Sequence, residues 1–114
     1  MIELIDSPLL ETRRVLGKDF FAGLINKFEA DYPNLLANLE DLYRSESFEA
    51  FEDEAHKLKG IALNLGAQAL GDLCKAMQLQ RSKGKPEMIP VLLDLVRPIA
   101  EASIKGLRLE LNHF

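Results

Sequence analysis

Apolar residues at alternating three- and four-residue steps run through most of this chain, a spacing that belongs to packed helices and to no strand. The longest series is Phe21, Ile25, Phe28, Tyr32, Leu35, Leu39 and Leu42, with Asp19 as a candidate cap at its start. Pro33 falls inside it and removes a backbone hydrogen bond, yet the spacing keeps phase across it, which predicts one kinked helix rather than two. A second series, Phe48, Phe51, Ala55, Leu58, Ala62 and Leu65, follows a break at Ser45-Glu46-Ser47, where either serine can cap, and stops at Gly66. That predicts a helix over about 47–65, and Leu70, Leu73, Cys74 and Met77 predict its hairpin partner over about 68–82. Ser82-Lys83-Gly84-Lys85-Pro86 is the plainest loop.

A last helix is expected from Pro86 or Glu87, with core positions Met88, Leu92, Leu95, Ile99, Ala102, Gly106 and Leu109. Pro90 suits its first turn, whereas Pro98 predicts a kink. At the other end, Ser7-Pro8 predicts a helix start, serine capping, with a short helix through Leu9, Leu10 and Val15 ending near Gly17 and lying across one end of the fold. The expected class is all-α: an antiparallel four-helix bundle with a short additional N-terminal helix.

At 114 residues the chain is long enough for one hydrophobic core, so residues 1–114 are expected to form a single helical domain. A net charge of -4, a pI near 5.2 and the absence of a basic run with interleaved aromatics argue against nucleic acid as a partner. No apolar stretch nears the roughly 20 residues that span a bilayer. Met1-Ile2-Glu3-Leu4-Ile5-Asp6 does not resemble an export signal, so the expected location is cytoplasmic. Cys74, the single cysteine, falls on an apolar face and is expected to be a small core residue.

Placed on a helical wheel, His56 points roughly 140° from the middle of the apolar seam of its helix, toward solvent. The seam stays apolar without His56, which disfavours a satisfied core histidine and leaves an exposed one, ordinary or reactive. Its neighbours favour the reactive case. Lys59 lies one turn on and supplies a fixed cation for a group with several anionic oxygens. Gly60 sits almost above the histidine, and a glycine inside a helix costs about 1 kcal/mol relative to alanine, a concession to something that must come close.

The residues Ala55-His56-Lys57-Leu58-Lys59-Gly60, with Gly66, Leu70, Leu73 and Cys74 downstream, resemble the His-x-Leu-Lys-Gly signature of histidine-containing phosphotransfer (HPt) domains. Ile61 departs from the small residue common in that family, but it lies on the flank opposite His56. The resemblance implies a phosphocarrier of multistep phosphorelays that takes a phosphoryl group on His56 from the phospho-aspartate of a receiver domain and passes it to another receiver, or back. It also implies that magnesium belongs to the receiver, and that the partners are response-regulator receiver domains, a hybrid histidine kinase being one source of them. The chemistry of the residues agrees. A neutral imidazole attacks an acyl phosphate, and phosphoryl transfer asks mainly for positioning and charge neutralisation. With no Gly-rich phosphate loop and no His-Glu-x-x-His cluster, no ATP or metal of its own and no self-phosphorylation are expected.

Further candidates surround the motif. Leu63 lies near the His56 line and is either part of an apolar docking patch or a flank residue under the next helix. Gln78 is a candidate to orient the second ring nitrogen of His56, against a solvated surface glutamine. Glu52, one turn earlier, can accept a hydrogen bond from the imidazole or be merely exposed. Lys75 and Arg81 offer a basic rim or a solvated face, and His113 belongs to a frayed terminus. Competing readings are a phosphate-independent module that binds a receiver or another helix bundle, and the phosphoacceptor module of a chemotaxis-type kinase. A sensor-kinase dimerisation pair fits less well, because Lys57 and Gly60 stand where such kinases carry an acidic residue and then a proline. A monomer is expected.

Overall fold

The computed structural model describes residues 4–82 and 86–114; Met1, Ile2 and Glu3 and the loop residues Lys83, Gly84 and Lys85 lie outside the described residues, as do the side chains of Ser7, Arg81, Ser82 and Pro86. Among the described residues every regular element is helical. In chain order they are α1 (Ser7–Arg13), a 3-10 turn (Arg14–Leu16), α2 (Lys18–Arg44), α3 (Phe48–Leu65), α4 (Gln68–Ser82), a second 3-10 turn (Pro86–Met88) and α5 (Ile89–Leu111). Helices α2 to α5 close a ring in which α2 touches α3 and α5, and α4 touches the same two. This is an antiparallel four-helix bundle with a short N-terminal helix.

The core follows the sequence spacing closely in three helices. Phe51, Ala55, Leu58, Ala62 and Leu65 of α3 are buried, and so are Leu70, Leu73, Cys74 and Met77 of α4. In α2 the buried set is Phe21, Ile25, Phe28, Tyr32, Leu36 and Leu39, so Leu36 takes the place expected for Leu35, which is half-buried. Adjacent leucines make either step apolar, and spacing alone cannot choose between them. Helix α2 runs unbroken through Pro33. The Tyr32 hydroxyl donates to Glu101 Oε1 at 3.0 Å, and Arg108 bridges Glu29 at 2.7 Å and Asn26 at 3.1 Å, so polar pairs fasten α2 to α5.

The expected core of α5 is corrected. Its buried face is Ile89, Leu93, Val96, Ala100, Ser103, Ile104, Leu107 and Leu111. Met88, Leu95 and Leu109, taken as core from the sequence, are 42, 43 and 59% exposed. The helix carries two adjacent apolar stripes, and a serine interrupts the one that is buried. Ser103 is tolerated there because its hydroxyl donates to the carbonyl of Ile99 at 2.7 Å, one turn back, so no polar atom is stranded.

Helix ends also differ from the sequence expectation. Asp6, not Ser7, caps α1, its carboxylate accepting from Leu9 N at 3.1 Å while Ser7 is already helical. Gly17, at φ 94, precedes α2, which leaves Asp19 inside the first turn rather than at the cap. Val15 is 88% exposed because the chain tightens into the 3-10 turn there and swings it off the apolar face. Ser47 holds the N-cap position of α3, yet its hydroxyl lies 3.0 Å from that of Ser45 instead of on a helix N–H.

At the end of α3 the backbone reverses within two residues. Gly66 sits at φ 95, where a side chain is strained, and Ala67 N donates to Ala62 O at 2.8 Å, a closure that satisfies last-turn carbonyls. Helix α1 crosses this turn. Asp6 N donates to Gly66 O at 2.8 Å, and the Arg13 guanidinium donates to both the carbonyl and the side chain of Asn64, at 3.1 and 2.7 Å. The motif helix is thus pinned at its C-terminal end by a cation on two oxygens, one of them a last-turn carbonyl.

Candidate functional site

The solvent-facing side of α3 is defined by what its other sides touch. One flank packs on α4, the other on α2, and the seam from Phe51 to Leu65 faces the core. His56 is on the remaining side and is exposed. No described residue holds its imidazole by a hydrogen bond or ion pair.

Lys59 is half-buried. Its charge is felt by Cys74 on α4. Burial pushes that thiol up to about 12, and the Lys59 charge works in the opposite direction. Among the described residues Lys59 has no ion-pair partner, so its ammonium remains available one turn from the histidine. The raised thiol value has a sign that can be tested. The fold favours the protonated form, so the stability Cys74 contributes is fully present below its ordinary value of 9.0 and is lost as pH rises toward about 12. The native chain is expected to resist iodoacetamide near pH ~8 and to react only once unfolded, and rapid native labelling would contradict this burial.

Gly60 is exposed, and a Cβ built there meets nothing within 4 Å. The fold itself therefore gives no reason for a glycine. Gly60→Ala is expected to stabilise the isolated chain by about 0.5–1 kcal/mol in urea denaturation. A loss of stability would show that the glycine serves the fold.

The other sequence candidates fall along the α3–α4 edge. Gln78 on α4 reaches α3 one turn before His56, where its Nε2 donates to the backbone carbonyl of Glu52 at 3.5 Å. The described contact of Gln78 is thus with the helix that carries the imidazole. Glu52 is half-buried and engaged in further interactions. Leu63 is 37% exposed and also lies against Gly71 of α4, so its docking-patch and covered-flank readings coexist in one side chain. Lys75 is exposed, the Arg81 side chain lies outside the described residues, and His113 is exposed in the final turn.

Two features escaped the sequence. On the α2 side of α3, Ile61 and Asn64 meet Leu24, Lys27, Phe28 and Asp31 around a groove of about 220 Å³. The Arg13–Asn64 pairing joins residues 51 positions apart, and nothing local announces it. Gly71 did carry a signal, a glycine inside a helix like Gly60, but only the packing shows what it accommodates. Among the described residues no helix is long and apolar enough to cross a membrane, and no group of three or more His, Cys, Asp or Glu side chains is placed to hold a metal ion.

Comparison with known proteins bears on this geometry. In three dimensions the chain is similar to histidine-containing phosphotransfer protein B (HptB) from Pseudomonas aeruginosa PAO1, with a TM-score of 0.84 and 21% identity, covering 97% of this chain and 96% of that one. No curated protein matches it by sequence. The sequence model of the Hpt domain matches residues 23–106, well over half of the chain and including the whole of α3 and α4. The chain belongs to the Hpt domain family, whose role is histidine phosphotransfer in phosphorelays.

Proposed function

We propose that the whole chain is a single phosphocarrier domain, a monomer in the cytoplasm, which accepts a phosphoryl group on His56 from the phospho-aspartate of a receiver domain. It then returns that group or hands it to a second receiver, and a hybrid kinase is one source of such a receiver. The observation that carries this reading is the placement of His56, exposed on α3, with the ammonium of Lys59 one turn on and without an ion-pair partner among the described residues.

The chemistry is a displacement at phosphorus. The unprotonated outward nitrogen of His56 attacks, a P–N bond forms, the P–O bond to the receiver aspartate breaks, and its electron pair leaves with the carboxylate. The ring proton stays on the other nitrogen. Lys59 pairs with the phosphoryl oxygens as charge redistributes, a charge-assisted contact. Open space over Gly60 lets the partner's loops come down onto the α3 backbone. Gln78, through the Glu52 carbonyl, steadies the turn from which the imidazole projects. Magnesium would be held by the receiver, and this chain adds neither nucleotide nor metal to the step.

A test separates carrier from kinase and from inert binding module. With ATP and magnesium alone the chain is expected to stay unlabelled. Once charged by phosphoramidate, it is expected to discharge to a receiver aspartate on mixing. A His56→Ala variant that serves the partner as well as wild type would establish the phosphate-independent reading instead.

A further inference from the structure

Two glycines inside helices flank the His56 face, and they differ in what lies over them. A Cβ on Gly60 would meet nothing within 4 Å, whereas one on buried Gly71 would run into Leu63 Cδ2 and lie 2.7 Å from Leu63 Cγ and 3.6 Å from Leu63 Cδ1. Leu63 nevertheless remains 37% exposed. Its isobutyl group therefore rests on the bare backbone of α4 with one edge in solvent. On the helical wheel Leu63 stands within about 20° of His56, seven residues on and so roughly 10 Å along the axis. At a neighbouring crossing α4 reaches back to α3, the Gln78 amide donating to the Glu52 carbonyl. The bare backbone at 71 lets Leu63 lie down on α4 instead of standing away from it.

We propose that Gly71 is a positioning residue for partner docking: it seats Leu63 in the α4 backbone and keeps the surface beside His56 low enough for a receiver's aspartyl phosphate to reach the imidazole. This rests on the phosphotransfer reading of His56. A methyl group at 71 cannot coexist with Leu63 as placed, because it would meet the branch carbon Cγ as well as the terminal methyl Cδ2, so turning the tip alone does not clear it. The whole side chain must move to another staggered rotamer, and the open direction is outward. There it obstructs the approaching protein without touching the chemistry of the ring.

The test follows transfer from a receiver domain phosphorylated on aspartate, as a function of receiver concentration. It compares wild type, Gly71→Ala, Leu63→Ala and the double variant, with phosphoramidate as a partner-free donor and thermal melts alongside. Gly71→Ala is expected to raise the half-saturating receiver concentration about tenfold, leaving the plateau rate and phosphoramidate labelling of His56 unchanged. Removing Leu63 in the double variant is expected to restore the half-saturation of Leu63→Ala. Wild-type docking by Gly71→Ala, a defect that persists in the double variant, or an equal fall with phosphoramidate overturns the seat while the carrier reading stands. If Gly71→Ala does not fold, the double variant decides: parity with Leu63→Ala upholds the proposal and a docking deficit overturns it. A wild-type chain that takes phosphate on His56 from neither donor overturns both.

Discussion

Replacing His56 with alanine is expected to abolish phosphoryl uptake while leaving the unfolding free energy within about 0.5 kcal/mol of wild type. The two halves of that result have one cause. The imidazole is exposed and held by no described partner, so the fold loses nothing when it goes. The chain has two histidines, and the other, His113, lies in the final turn after α5, so no second imidazole stands in on this face. A phosphate assay and a urea denaturation curve on the same preparation check both halves. Uptake by His56→Ala at the wild-type level would remove His56 from the mechanism. A large loss of stability would mean that the ring belongs to the packing.

Replacing Lys59 with alanine is expected to slow transfer by about 10- to 100-fold, the worth of one charge-assisted contact to the phosphoryl oxygens. Because charge redistributes at phosphorus during the step, the loss is expected mainly in the plateau rate and less in the receiver concentration needed to reach half of it. Lys59→Arg keeps the cation and is expected to recover much of the rate, whereas Lys59→Met keeps the stem and is not. An unchanged rate in Lys59→Ala would show that the ammonium, although without an ion-pair partner among the described residues, does not meet the phosphate.

The bundle was legible because most seams are bounded by charge. In α3 the residues between the apolar positions include Glu49, Glu52, Asp53, Glu54, Lys57 and Lys59, so one face alone could be buried, and the wheel that buried it also put His56 outside. Helix α5 lacks that constraint. Apolar residues fill two neighbouring stripes, and only the bonded hydroxyl of Ser103 shows why the polar-looking one faces inward. Capping was ambiguous for a related reason: Asp6 and Ser7 are adjacent and both can cap, and the hydrogen bond to Leu9 chose the aspartate.

For the site, periodicity reached as far as a direction. It placed His56, Lys59 and Gly60 along one side of a helix, and it left Leu63 between two readings. Resolving those needed the neighbouring helix, because the surroundings of Leu63 are set by a glycine on α4. The anchoring of α1 by Arg13 on Asn64 and the groove beside Ile61 depend on chain crossings that no local pattern encodes.

The carrier role requires that the phosphate leave the receiver for His56. Wild-type chain mixed with an aspartyl-phosphorylated receiver and magnesium, then quenched at alkaline pH and examined by intact-mass and peptide-fragment spectrometry, is predicted to gain one acid-labile phosphoryl group, located on His56, as the receiver loses its own. A receiver that discharges only to water, or a phosphate located on any other residue, would contradict it.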